Sequence, residues 1–138
     1  GIPLAIGTDG PASNNCLDFF REMFLTPGLQ KLNHGAEAVD AIDVLTMACK
    51  NGAYACGFDD CDCLAVGKQA DLIMIDLLQP NMQPLNNIEK NIVYSGTKQN
   101  VALVMIAGKV LYERGEFFIG DDPERIYAKA NRIIRAMK

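Results

Sequence analysis

The sequence predicts an α/β protein that opens with one strand and two helices, continues as a small antiparallel sheet and closes with a further helix. Three observations lead to this expectation. Residues 2–6 are apolar and run into Gly7-Thr8-Asp9-Gly10, the pattern of a buried strand delivering a polar loop at its C-terminal end. Two later stretches carry apolar residues at helical spacing, beginning near Cys16 and near Asp40. Residues 101–106 and 109–113 flank Ala107-Gly108, the two-residue spacing of a tight β-hairpin.

Each element has its own local reason. After the Asp9 loop, Leu17, Phe20 and Phe24 recur at helical spacing, with Ser13, Asn14 and Asn15 available as caps. Pro27-Gly28 should break or kink that helix. Asp40 can cap a second helix, whose stripe of Ala41, Val44, Leu45, Ala48 and Gly52 should carry it to about Ala55. Cys49 and Cys56 read as small buried residues on it. Asp71-Leu72-Ile73-Met74-Ile75-Asp76-Leu77 is a short apolar run suited to a strand covered on both faces. Pro80 and Pro84 mark a loop, and residues 85–91 suit a short helix before Val93-Tyr94-Ser95. Arg114-Gly115-Glu116 offers a second turn after the hairpin. Asp122 and Pro123 fit an N-cap and first helical residue. Behind them Ile126, Ala130, Ile133, Ile134 and Met137 line one side of a terminal helix, and Lys129, Arg132, Arg135 and Lys138 its solvated face.

Composition narrows the function classes. A chain of 138 residues that is 49% hydrophobic and 22% charged suits one soluble globular body. No apolar run approaches the roughly 20 residues that span a bilayer, and no signal peptide is visible, so a cytoplasmic location is expected. The net charge of −4 and the absence of a basic run argue against nucleic acid as a partner. Five cysteines, an odd number, argue against a disulfide framework. Cys56, Cys61 and Cys63 cluster with Cys49 upstream but make no C-x₂-C pair, which disfavours a structural zinc site. A lone strand followed by two helices leaves edges uncovered, so the N-terminal third is expected to belong to a larger sheet whose other strands lie upstream.

The residues alone leave two readings of Asp9 open. Asp-Gly pairs shape turns. A carboxylate at the C-terminal end of a buried parallel strand is also where α/β barrels gather catalytic groups.

Gly7-Thr8-Asp9-Gly10, followed by Ser13-Asn14-Asn15, Leu17-Asp18, Glu22-Met23 and Leu29-Gln30-Lys31, resembles the eighth-strand segment of the amidohydrolase superfamily, in particular its 5′-methylthioadenosine/S-adenosylhomocysteine deaminases and related chlorohydrolases. Met47-Ala48 with Asn51-Gly52-Ala53 resembles the next helix of that family. Gly67-Lys68 with Ala70-Asp71-Leu72-Ile73, then Gln83-Pro84-Leu85, then Val104-Met105-Ile106-Ala107-Gly108-Lys109-Val110 resemble its β-sandwich segments in the same order. Two places depart from the pattern: Pro27-Gly28 interrupts a helix that is continuous in the family, and Cys61-Asp62-Cys63 stands where small residues are expected.

The resemblance implies the last β/α portion of a TIM-like barrel over residues 1–64, part of the composite β-sandwich over residues 65–120 and a C-terminal helix over residues 121–138. It also implies a divalent metal, zinc or iron, whose activated water displaces ammonia from a purine nucleoside. By the same resemblance Asp9 is a metal ligand and catalytic proton shuttle that also meets substrate, with Ser13 and Asn14 shaping its loop or touching substrate. The His-x-His motif and the other metal-binding histidines of the family have no match in the chain, and His34 does not replace them. A catalytic zinc needs at least three protein ligands, so the 138 residues alone should be inactive, hold no metal tightly and self-associate through uncovered apolar edges. The alternative is a self-standing noncatalytic binding or assembly module built from the same tail.

Overall fold

A computed structural model describes residues 2–137, and Gly1 and Lys138 lie outside the described residues. A helical region comes first, with α1 (Phe19–His34), α2 (Ala41–Ala48) and α3 (Lys50–Cys56). Strands β1 (Leu72–Ile75), β2 (Val101–Ile106), β3 (Lys109–Glu113) and β4 (Glu116–Phe117) follow. α4 (Ile88–Ser95) is inserted between β1 and β2, and α5 (Pro123–Ala136) follows β4. No helix among the described residues is long and apolar enough to cross a membrane.

α1 starts later than its apolar spacing suggested, because Asp18 rather than Ser13, Asn14 or Asn15 caps it. The Asp18 Oδ1 accepts from the backbone N–H groups of Phe20 at 3.1 Å and Arg21 at 3.4 Å, which satisfies donors that a helix end otherwise leaves open. The helix runs unbroken through Pro27-Gly28, against the expected break. Pro27 is fully buried there, and burial of its ring offsets the one backbone hydrogen bond that proline removes.

The second helix divides in two. Cys49, with φ −101° and ψ −79°, leaves helical geometry and separates α2 from α3, and Gly57 in the left-handed region ends α3. Asp40 stands at the N-cap position but makes no side-chain capping bond. Cys49 and Cys56 are exposed rather than buried, since the stripe that meets the core is completed by Ala41 and Val44 one or two turns earlier.

Phe20, Met23, Ala41, Val44 and Val93 form the core, with Ile6, Leu45, Ala48, Ile75, Ile92, Tyr94 and Val101 packed around it. Val44 and Val93 are 0% exposed, and side chains buried this fully stabilise a fold by about 1.5–3 kcal/mol each. α4 therefore belongs to the helical core although the sequence inserts it between strands. It starts at Asn87, whose Oδ1 accepts from the Lys90 N–H at 2.8 Å, and it absorbs Val93-Tyr94-Ser95. Its end approaches α1 closely: a Cβ at Gly96 would stand 3.0 Å from the Phe20 ring.

The sheet is antiparallel throughout, in the order β1-β2-β3-β4. Val104 of β2 pairs with Ile73 on one side and Tyr112 on the other. The expected hairpin forms, and its turn residues Ala107 (φ 50°) and Gly108 (φ 75°) both have positive φ, as a two-residue turn matched to strand twist requires. Arg114 and Gly115 repeat the device before β4. β1 is not covered on both faces: the successive residues Ile73 and Met74, which point to opposite faces of the sheet, are 51% and 57% exposed. The buried Asn100 ties the region together. Its Oδ1 accepts from the Thr97 N–H at 2.9 Å and from Asn81 Nδ2 at 2.8 Å, and its backbone carbonyl accepts from the Asp76 N–H.

Residues 2–6 were expected to be a strand, and they belong to no sheet among the described residues. A strand needs a neighbour for its backbone groups, and here the main tie is the Asn51 side-chain amide donating to the Leu4 carbonyl at 2.7 Å. Ile6 still reaches the core, whereas Ile2 and Leu4 are largely exposed. α5 is capped as expected, Asp122 accepting from the Glu124 N–H at 3.0 Å. Its apolar side is exposed, with Ile126 at 41%, Ile133 at 52% and Ile134 at 57%.

Candidate active site

Asp9 sits in a left-handed backbone conformation with φ 58°, which aspartate tolerates better than most residues. Its Oδ1 accepts from the Gly10 N–H at 2.7 Å, so the carboxylate is held against its own turn. The Oδ2 accepts no hydrogen bond from the described residues, and Asp9 is exposed.

The turn continues as a helical loop. The Gly10 carbonyl accepts from the N–H groups of Ser13 at 3.1 Å and Asn14 at 2.8 Å, and from Ser13 Oγ at 3.3 Å. Ser13 is thus an exposed residue that braces the loop.

Asn14 does more. Its Nδ2 donates to the Thr8 carbonyl and to Glu22 Oε1, both at 2.9 Å. Its Oδ1 accepts from the Cys16 N–H and from Arg21 Nη2, both at 3.2 Å. A primary amide has two donors and two acceptor positions, so all of them are used within the chain. Asn14 therefore spans Asp9, its backbone N–H on the Gly10 carbonyl and its side chain on the Thr8 carbonyl. Asp18 adds charge nearby, with Lys98 Nζ 3.9 Å from its Oδ2.

Sequence spacing brought Asp9, Ser13 and Asn14 into one loop, and the structure keeps them there. It did not single out Glu22 or Arg21 as partners of that loop. The available signal was the cap: once Asp18 starts the helix, Glu22 falls in its first turn, facing back toward the loop. His34, the last residue of α1, is exposed.

The thiols lie elsewhere. The Cys61 thiol is pushed above its usual range by desolvation and then by the nearby Asp71 and Asp60 carboxylates. Beside it, Lys68 Nζ stands 2.7 Å from Asp62 Oδ1. Lys68, as that close ion-pair partner, is the chief cause holding the Asp62 carboxyl below the usual carboxylate range. Among the described residues no three His, Cys, Asp or Glu side chains are grouped to hold a metal ion. A single exposed carboxylate such as Asp9 does not by itself make a metal site.

Residues 1–111 match the Amidohydrolase family, and the chain belongs to that family. A 5-methylthioadenosine/S-adenosylhomocysteine deaminase of Dictyoglomus thermophilum is 35% identical over all of this chain and 33% of its own length. One of Desulfovibrio desulfuricans is 45% identical over 85% of this chain and 27% of its own. Among solved structures, a zinc-bound adenosine deaminase of Xanthomonas campestris superposes with a TM-score of 0.89 at 40% identity, over 95% of this chain and 30% of that one. A triazine hydrolase variant superposes with a TM-score of 0.88 at 26% identity, over 97% and 30%. The chain thus spans about a third of the length of the relatives it matches.

Proposed function

We propose that the 138 residues are the C-terminal part of a metal-dependent hydrolase acting on C–N bonds, and that the longer protein hydrolytically deaminates an adenine-type nucleoside such as methylthioadenosine or S-adenosylhomocysteine. The observation that carries this reading is the 35–45% identity to deaminases of that name across 85–100% of the chain. In this reading residues 1–64 complete a TIM-like barrel, residues 65–120 contribute to a composite β-sandwich and residues 121–138 form the closing helix.

A divalent metal, zinc or iron, would when bound supply a nucleophilic water at neutral pH by lowering its pKa. Asp9 is the residue of this chain that would hold such an ion; its Oδ1 accepts from the Gly10 N–H, and its Oδ2 accepts no hydrogen bond from the described residues. The same carboxylate accepts a proton and returns it to the leaving nitrogen, which restores the aspartate for the next turnover. Ser13 stands at the loop surface, where its hydroxyl can meet substrate, while Asn14 shapes the loop. The remaining ligands come from upstream strands, so the chain alone is inactive. The partner is a small purine nucleoside rather than nucleic acid or membrane, the protein is cytoplasmic, and the isolated chain self-associates.

The test compares the 138-residue chain with the longer protein. Ammonia release from methylthioadenosine is expected from the longer protein and not from the chain. Asp9→Asn is expected to lower kcat about 10²–10⁴-fold, the range of a lost general acid/base. Turnover and stoichiometric metal in the chain alone would overturn the inactivity. The alternative of a noncatalytic module draws on the sheet closing its own hairpins, and a longer protein inert toward nucleosides would favour it.

A further inference from the structure

We propose that Glu22 is a positioning residue for Asp9, acting through Asn14, and this rests on the reading of Asp9 as a metal ligand and proton shuttle. Glu22 is fixed in the first turn of α1, its N–H bonded to the Asp18 carbonyl at 3.3 Å. Its side chain is only 17% exposed. Its Oε1 receives the Asn14 amide at 2.9 Å. The second hydrogen of that amide holds the carbonyl of Thr8, the residue just before Asp9, at 2.9 Å.

The link has three consequences. A bond from an amide to a carboxylate is charge-assisted and stronger than a neutral one. It fixes the rotation of the Asn14 amide, since only one end carries donors. Thr8 and Gly10, the two neighbours of Asp9, are then gripped by one residue whose orientation Glu22 sets. The positive φ of Asp9 is a conformation that an unsupported non-glycine residue leaves readily. Glu22 supplies the support from a rigid helix, as outer residues do for ligands they never touch. Arg21, on the same turn, closes the bracket through the Asn14 Oδ1.

The experiment uses the longer protein with Glu22→Ala, Glu22→Gln and Asp9→Asn, reading kinetics, melting temperature and metal retained per chain after dialysis against a weak chelator. Glu22→Ala is expected to lower kcat and retained metal about 10–100-fold, the usual effect of losing an outer-shell partner, with KM little changed. Glu22→Gln keeps an oxygen for the Asn14 amide, so most of both readouts should return. Asn14→Ala cuts the same link from its other end and serves if Glu22→Ala does not fold. Wild-type metal retention and kcat in Glu22→Ala would overturn the proposal, as would a Glu22→Gln variant no better than Glu22→Ala. If Asp9→Asn is impaired while Glu22→Ala is normal, only the positioning role falls. If Asp9→Asn itself keeps full metal and turnover, the reading of Asp9 falls instead.

Discussion

Residues 2–6 and strand β2 are both short apolar segments, and they meet opposite fates. β2 finds β1 on one side and β3 on the other within the same chain. Residues 2–6 find no strand, and Leu4 is left 59% exposed. The difference lies in where the partner comes from. A hairpin brings its own neighbour two residues later, whereas a segment with no strand adjacent in sequence can pair only across a long connection. The segment that presents Asp9 is therefore held without a strand neighbour among the described residues, by Ile6 at the core and the Asn51–Leu4 hydrogen bond.

That contrast can be broken most strongly at its firm end. Val104→Pro removes a ladder donor from the central strand and should destabilise the chain by about 3 kcal/mol or more in urea titration. Leu4→Asp, on a side chain already in solvent, should stay within about 0.5 kcal/mol. Equal costs would show that residues 2–6 are held as tightly as the sheet. In the longer protein Leu4→Asp is expected to become the more damaging of the two.

A pH dependence of the sheet region comes next. The Asp71 carboxyl is held below the usual carboxylate range, first by the Ala107 N–H donating to its Oδ1 at 2.6 Å and then by the Gln69 amide. A depressed folded pKa means that this stabilisation is present above the ordinary value near 3.9 and is lost as pH falls through the folded pKa. Asp71→Asn should melt below the parent at neutral pH, and the two curves should converge as acid protonates Asp71. A constant gap across the acid range would assign the effect to shape instead of charge.

The smallest effect concerns the turn that makes β2 self-sufficient. Ala107 adopts φ 50°, which Asn adopts more readily, so Ala107→Asn should raise stability by about 0.5 kcal/mol. Thermal melting checks it, and an unchanged or lower midpoint would argue against turn strain.

Much of this molecule was legible locally. The hairpin at Ala107-Gly108 and the cap at Asp122-Pro123 depend on neighbours within a few residues, and both appear where spacing placed them. Errors arose where distant packing decided. Burial of Pro27 carries α1 through an expected break, and the bend at Cys49 divides what the apolar stripe presented as one helix. In the site, Asp9, Ser13 and Asn14 were visible as a loop motif. Glu22 was not, because its link to Asn14 exists only once α1 has folded back beside the turn.

By itself, then, the sequence determined the family, the hairpins, the helix caps and the loop that displays Asp9, since motif order and short-range backbone preferences act without distant partners. Only the tertiary structure decided that α4 joins the helical core, that Asn14 spends its whole amide bracing Asp9, and that residues 2–6 stand without a sheet. Those outcomes turn on which groups meet across the chain, because buried donors and acceptors must find partners wherever packing brings them.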